Sequence, residues 1–599
     1  MNLKRSHIIQ AFFVATGLVL LIRLFFIQIL SDYYSVAANK NIVQPTLEYP
    51  YRGLIYDRNG NIIVSNTPVY NVMIVPKDVK IINKELFCRN FNITEIEFEK
   101  ALQKAKKYSY IKPSLFIKWL SKEEWARIED YIDSYLGFYV EAQMLRNYHK
   151  SILANVIGYI GEVDPTYLAS STHYYKPGEL IGITGLEKQY ESVLRGQGGI
   201  SYKITNSKGI TKGSFKNGTM DIIAIPGENI ITTIDVNLQA YGEFLMQNKI
   251  GSIVAIEPKT GDVLALISSP PYDPNLLVGK NSGKNFNILN NDKSFPLFNR
   301  PVMAKYAPGS IFKLVQTLIG LQEGVISPNM LFACDQTLLK CRNHPSQVFL
   351  KDAIKYSCNP YFYRVFRCII NQHVFKNVFE DSRYGLNKWC SYVTDFGFGS
   401  KLGIDIPGEK SGFVPGVEFY DKMYGFKNWK TSTIRSLDIG QGELLATPLQ
   451  MANLAVIIAN RGFYYPPHLV KKIGVKTISF DESKKHTVKI DTKHFDFVIA
   501  CMYGVAKEGT AKLRMQIKDI DICAKTGTVE NFSGNKVDHA VCIAFAPKEN
   551  PQIAVAVYIE NVGWGSGVSA AIASLIIEKY LNGVVTRQWL QDYALGNKF

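Results

Sequence analysis

The chain has 599 residues, too many for a single hydrophobic core, so two or more domains are expected. Apolar residues make up 47% and charged residues 20%, an ordinary globular composition. The 68 Lys+Arg against 52 Asp+Glu leave a net charge of +16, which suits an anionic partner. With no compact basic run and no nucleic-acid motif, nucleic acid is discounted, and lysines spread over solvated faces are the plain reading of the charge.

At the N-terminus, Lys4 and Arg5 precede a run from Ile8 to Leu30 in which Arg23 is the one charge. About 20 apolar residues span a bilayer, so 8–30 is expected to be a transmembrane helix. Basic residues before it and Asp32 after it put residues 1–7 in the cytoplasm and the rest outside. A cleaved signal peptide competes, but the run is long for one and no small-x-small site follows Leu30.

Residues 31–227 mix strands, helices and turns. Arg52 to Asn66 reads as strand, Asn59-Gly60 turn, strand. Residues 85–135 read as helical and charged, and Leu153 to Gly161 as a short apolar element. Gly182 to Glu187 leads into a helix carrying Tyr190, Glu191 and Leu194. Nothing here assembles a nucleophile, a base or a metal set, so the stretch reads as a non-catalytic pedestal.

Near residue 228 the pattern changes. Ile230 to Asp235 is a strand followed by a helix. Ser252–Glu257 and Asp262–Ser268 form a hairpin across Pro258 to Gly261. The last part reads as strands Ile522–Thr528, Ala540–Phe545 and Ile553–Ile559, then a helix Ser569–Leu581, leaving 586–599 as a tail. Helices inserted between strands of one antiparallel sheet make residues 228–585 an α+β domain.

The chemistry starts at Ala307 to Val315. Pro308-Gly309 turns the chain and Ser310 suits a helix start. Ile311, Phe312, Leu314, Val315 and Leu318 give that helix too much apolar surface for a solvated face. Lys313 lies one turn beyond Ser310, on the same face. Burying an ammonium favours the neutral amine, and an amine beside a hydroxyl is a base beside a nucleophile. Ser109 to Lys112 and Ser533 to Lys536 match the same spacing, but in polar surroundings. Ser357-Cys358-Asn359 falls at a turn between helices. Lys525-Thr526-Gly527-Thr528 falls on a strand, where Gly527 leaves room for a substrate at the edge and the hydroxyls with Lys525 favour an anion. Ser327-Pro328-Asn329, Ser533-Gly534-Asn535 and Lys259-Thr260-Gly261 are decoys, the last read as a hairpin turn.

The order Ser-x-x-Lys, Ser-x-Asn, Lys-Thr-Gly-Thr resembles the penicillin-recognising serine transferases and hydrolases. Arg52 to Asn66, Asn299-Arg300, Phe396 to Gly399, Gly403 to Glu409, Ile439 to Gly442 and Thr447 to Gln450 narrow the resemblance to class B penicillin-binding proteins. Leu153 to Glu162 and Gly182 to Gly199 are more similar to the elongation-type group, penicillin-binding protein 2, than to the septal one. Ala307, in place of a second proline, and Val529-Glu530, in place of Ala-Gln, depart from the pattern.

The resemblance implies a membrane-anchored D,D-transpeptidase with a dimerisation-type pedestal and a five-stranded antiparallel sheet flanked by helices. It implies that Ser310 attacks the D-alanyl-D-alanine carbonyl of a peptidoglycan stem peptide while neutral Lys313 takes its proton. Ser357, helped by Lys525, passes a proton to the leaving group, and Asn359 binds the donor amide. Ser310 and Thr528 N–H groups form the oxyanion hole; Thr526 and Thr528, with Lys525, hold the terminal carboxylate. β-Lactams would stall the acyl-enzyme, and a SEDS-type glycan polymerase and other rod-complex proteins are the implied partners in an inner membrane. No cofactor is required. A β-lactamase or β-lactam sensor of the same fold, a septal-type enzyme and a non-catalytic scaffold for a glycan polymerase are the alternatives.

Nine cysteines is an odd number, so at least one has no disulfide partner. Cys88, Cys501, Cys523 and Cys542 sit in apolar segments and read as buried thiols. Cys334, Cys341, His344 and Cys358 have the donor types of a tetrahedral zinc site bracing the active-site wall, with Asp335 and Asp352 as nearby alternative donors. A Cys334–Cys341 disulfide, or unrelated thiols, remain open readings.

Overall fold

The computed structural model describes residues 2–26, 43–80, 83–170, 175, 178–205, 211–341, 344–478, 482–531 and 537–596. The chain forms two compact units, neither of them continuous in sequence. One holds Met1–Arg52, Pro68–Met144 and Arg195–Gly227; the other holds Gly53–Thr67, Leu145–Leu194 and Glu228–Phe599. Gly53–Thr67 and Leu145–Leu194 thus fold with the second unit, and the chain crosses into it for the last time at Gly227/Glu228.

In the first unit a helix runs from Asn2 to Phe25, with mean hydropathy 2.2 over its apolar window, long and apolar enough to cross a membrane. Residues 27–30 of the expected span lie outside the described residues. Helices Lys84–Phe91, Glu95–Tyr108 and Lys122–Ile132 surround Phe87, whose ring meets those of Phe91, Phe98, Phe116, Tyr135 and Phe138. Thr94 and Ser121 start two of these helices with reciprocal capping boxes to Glu97 and Glu124. A strand, Ser114–Leu120, interrupts the stretch read as helical. Pro113 precedes it, and Phe116 and Leu120 turn inward while the strand pairs with the end of Ile62–Ile74.

The second unit is built on a five-stranded antiparallel sheet: β1 (Gly251–Ile256), β2 (Val263–Ser269), β3 (Cys523–Val529), β4 (His539–Ala546) and β5 (Ile553–Ile559), in spatial order β2-β1-β5-β4-β3. Nearly every residue of these strands is buried, because helices cover both faces. The helices are α1 (Val236–Leu245), α2 (Lys313–Gln322), α3 (Leu350–Tyr356), α4 (Asn359–Ile370), α5 (Pro448–Ala459), α6 (Thr492–Lys507) and α7 (Val568–Asn582). α7 packs on α1, β4 and β5; α5 packs on β1, β4 and β5; α6 packs on β3. Asp235 caps α1 through the N–H groups of Asn237 and Leu238, and Thr447 caps α5 with Pro448 at its first position. Residues 588–596, read as part of a tail, form a helix on α7 that buries Leu590 and Ala594 completely.

Side chains tie the two early segments in. The Leu153 N–H donates to Glu243 Oε1 of α1 at 2.9 Å, while Arg146 Nε and Glu187 Oε1, both within Leu145–Leu194, pair at 2.7 Å with their side chains fully buried. Arg58, from the Asn59-Gly60 hairpin, pairs with Glu257 at 3.0 Å and donates to the Tyr580 hydroxyl at 3.4 Å. Cys88, Cys501, Cys523 and Cys542 are buried thiols, as expected.

Candidate active site

Gly309 adopts φ +59, and a Cβ there would lie 2.8 Å from a Val529 methyl, so the turn before the nucleophile requires glycine. A tight turn, Gly309–Phe312, presents Ser310 and runs straight into α2. Ile311, Phe312, Leu314 and Val315 are fully buried, as their apolar run implies, and so is Lys313.

The ammonium end of Lys313 is held from three sides. Its Nζ lies 2.6 Å from Asn359 Oδ1, 2.8 Å from the Ser357 carbonyl and 3.3 Å from Ser357 Oγ. It also lies 5.4 Å from the Phe362 ring centre. Three acceptors match the three N–H bonds of an ammonium. Ser357 ends α3 at φ +61, a left-handed conformation that aims both its carbonyl and its hydroxyl at the amine. Asn359 opens α4; its Nδ2 donates to the Lys340 carbonyl at 3.0 Å. Both ends of that amide are thus engaged within the protein, so the position expected to bind a donor peptide holds Lys313 here.

Lys525 is fully buried on β3. Its Nζ donates to Ser357 Oγ at 3.0 Å and to the Thr526 carbonyl at 2.8 Å. One hydroxyl therefore stands between two lysines. β3 is an edge strand of the sheet, as pairing with an extended substrate requires. Gly527 has a second reason to be bare: a Cβ there would lie 2.6 Å from Val541 Cγ1 and 3.1 Å from the Ser310 nitrogen. The Gly565 N–H donates to Thr528 Oγ1 at 3.2 Å.

Some neighbours were given no role by the sequence. Thr510 Oγ1 lies 2.8 Å from Thr526 Oγ1, and Gln441 Nε2 approaches the Thr528 carbonyl at 3.5 Å. Asp438 is buried in the turn behind Ser310. Gln441 lies in the Ile439 to Gly442 motif, which carried the resemblance but no stated role; Thr510 and Asp438 belong to no spacing that announces chemistry, and only packing brings them here. Of the decoys, Ser109 merely caps its own turn through the N–H groups of Ile111 and Lys112. Lys259-Thr260-Gly261 joins β1 to β2 as expected. Ser533 to Lys536 lies outside the described residues.

Cys334, Cys341, His344 and Cys358 come together with all four donor atoms within 4.8 Å of one another. His344 Nε2 lies 3.1 Å from Cys341 Sγ and 3.5 Å from Cys334 Sγ. Zinc bonds of about 2.3 Å to sulfur and 2.0 Å to nitrogen in a tetrahedron separate the donors by roughly 3.5 Å, so the set fits. His344 Nδ1 pairs with the Pro345 carbonyl at 2.8 Å, leaving Nε2 to point at the thiols, and the ring stacks on Tyr356. All nine cysteines are free thiols, so no Cys334–Cys341 disulfide forms. Arg342 and Asn343, between two of these donors, lie outside the described residues.

Comparison with known proteins agrees with this geometry. The family described as "Penicillin binding protein transpeptidase domain" matches residues 251–578, and "Penicillin-binding Protein dimerisation domain" matches 47–232. The peptidoglycan D,D-transpeptidase MrdA of Acinetobacter baumannii is 30% identical, over 94% of this chain and 85% of its own. MrdA of Escherichia coli K12 is 29% identical, over 91% and 88%. Pseudomonas aeruginosa PBP2, solved in complex with WCK 5153, is 28% identical with TM-score 0.65, covering 91% of this chain and 99% of that one. Helicobacter pylori PBP2, solved in complex with MreC, shares the fold at TM-score 0.71 and 23% identity. A transpeptidase-family match over more than half of the chain, preceded by the dimerisation match, places this chain among the class B penicillin-binding proteins, in the group that contains penicillin-binding protein 2.

Proposed function

We propose that the chain is a serine D,D-transpeptidase that cross-links peptidoglycan stem peptides during cell elongation and is acylated by β-lactams. One observation carries the reading: a fully buried lysine, Lys313, one turn after a half-buried serine, with its amine and that of Lys525 converging on a single hydroxyl, Ser357 Oγ.

In this mechanism Ser310 Oγ bonds to the carbonyl carbon of the D-alanyl-D-alanine peptide as its proton passes to the unprotonated Lys313 amine. Developing negative charge on the carbonyl oxygen is met by the N–H groups of Ser310 and Thr528. Ser357, between the two lysines, delivers a proton to the leaving D-alanine nitrogen. Lys525, Thr526 and Thr528 receive the terminal carboxylate, and Gly527 lets the peptide lie along β3. Asn359 orients Lys313. An amine from a second stem peptide then attacks the acyl-enzyme, forming the cross-link and freeing Ser310.

Cys334, Cys341, His344 and Cys358 would hold a zinc ion as a closed, structural site. Such an ion would fix Cys358, and with it the Ser357–Asn359 turn; the carbonyl before Cys341 already anchors Asn359.

The proposed topology is a cytoplasmic segment 1–7, a span 8–30, a pedestal 31–227 whose segments 53–67 and 145–194 fold with the second unit, a catalytic domain 228–585 in the periplasm and a terminal segment 586–599 whose helix packs on α7. The apolar helix Asn2–Phe25 and its basic N-terminal residues support this. The partners proposed are a SEDS-type glycan polymerase and an MreC-type rod protein, supported by the fold shared with a chain solved in an MreC complex.

Intact-protein mass after benzylpenicillin tests the reading. One penicilloyl adduct is expected on the wild type, mapping to Ser310, and none on Ser310→Ala. An adduct elsewhere, or none, refutes it.

A further inference from the structure

The three acceptors around Lys313 suit its charged form, whereas the proposed base must be neutral. The neighbour that bears on this conflict is Asp438. It sits in the turn Arg435–Ile439, just before Gly440. That turn is locked to the nucleophile's own: the Gly309 N–H donates to the Gly440 carbonyl at 2.8 Å, and Gln316 Nε2, from α2, donates to the Leu437 carbonyl at 3.1 Å. A Cβ on Gly440 would lie 2.4 Å from the Gly309 carbonyl oxygen and 2.6 Å from Phe312 Cβ, so the two turns meet backbone to backbone.

Asp438 is 1% exposed, and its Oδ2 is buried without a hydrogen-bond partner among the described residues. Leaving a carboxylate oxygen dry and unpaired is costly, so the position calls for a reason. The charged groups around it are few. Lys313 is the only one along α2, and Arg435 belongs to the same turn. On α4, Arg364 and Arg367 lie against the Phe332 and Tyr363 rings. The turn Gly309–Phe312 carries no charge. Burial raises the Asp438 carboxyl to about 7, with Lys313, the Ile439 N–H and Arg435 pulling the other way.

We propose that Asp438 is a positioning residue for acylation: its buried carboxyl, packed behind the nucleophile's turn, biases Lys313 toward the ammonium and so sets the pH at which the base becomes available. An ionised Asp438 holds the proton on Lys313; a protonated one removes that bias. In the step itself the Ser310 proton moves to Lys313 as the Ser310–acyl bond forms and the carbonyl π pair moves to oxygen. Asp438 takes part in no bond.

This inference rests on Lys313 as the base for Ser310, and its test separates the two. The second-order rate of acylation by a fluorescent penicillin is measured from pH 5 to 9 for wild type, Asp438→Asn and Asp438→Ser, with thermal melting alongside. Removing the carboxyl should move the acid limb of the profile down by about one pH unit, making the variants about tenfold faster on that limb. A lower rate at every pH with the limb unmoved means packing alone and overturns the proposal, while Ser310 labelling stands. Two variants guard against one failing to fold. Loss of labelling at Ser310 in the wild type would instead sink the parent reading.

Discussion

Ser357→Ala removes one oxygen from the centre of the site. In the wild type that oxygen accepts from Lys525 at 3.0 Å and from Lys313 at 3.3 Å. A hydrogen bond to a charged donor is worth about 1.5–3 kcal/mol. The two losses do not add in full, because both lysines keep other partners. Lys313 retains the Ser357 carbonyl at 2.8 Å and Asn359 Oδ1 at 2.6 Å, and Lys525 retains the Thr526 carbonyl at 2.8 Å. Alanine also keeps a Cβ at a position already tolerating φ +61, so the backbone cost is small. The barrier to acylation should rise by about 2–4 kcal/mol, roughly thirtyfold to a thousandfold in rate. Stopped-flow acylation by a chromogenic cephalosporin reads the rate, and melting reads the fold. A rate within about threefold of wild type, with the melting temperature unchanged, would refute the shared-hydroxyl relay. A large fall in melting temperature would show instead that the hydroxyl mainly holds the turn together.

Gly527→Val should lower stability by about 1–3 kcal/mol by overpacking against Val541 and should abolish acylation by displacing the Ser310 N–H; a variant that melts normally and still binds penicillin contradicts this. Purified protein should carry one zinc per chain by elemental analysis, and Cys341→Ser or chelation should lower the melting temperature; metal-free protein with unchanged melting ends the zinc proposal. Burial acts to lower the His468 pKa, but the Asp262 carboxylate at 2.9 Å, the Pro466 carbonyl and the Asp405 charge together outweigh it, and the net shift is upward from 6.5. Burial acts to raise the Asp262 carboxyl, but His468, with Arg58 and Lys471, holds it below its usual value. The pair therefore stabilises the fold below the ordinary histidine range and loses that contribution as pH rises through the raised histidine value. Asp262→Asn should cost most stability near pH 5 to 6 and least above pH 8; a cost independent of pH refutes the ion pair.

Local rules carried much of this protein. Continuous β-rich apolar runs placed β1 to β5 within a residue or two, the Pro308-Gly309 punctuation placed the nucleophile's turn, and the apolar run after Ser310 announced that Lys313 would be dry. What local rules missed has a common cause. Ser114–Leu120 was hidden between two charged helices, since six or seven residues hold too few periods to stand out. Residues 588–596 looked like a tail because only the surface of α7 gives Leu590 and Ala594 something to pack on.

The sequence by itself determined which groups are present and in what order: a serine before a lysine, a hydroxyl and an amide at a helix junction, a lysine on a strand. The tertiary structure alone decided that Lys313 meets a serine 44 residues away, that Lys525 meets the same serine across 168, and that an unremarkable aspartate lies dry behind them. The reason is physical: turn chemistry and periodicity act over a few residues, whereas desolvation and charge coupling depend on which distant segments exclude water from the same spot.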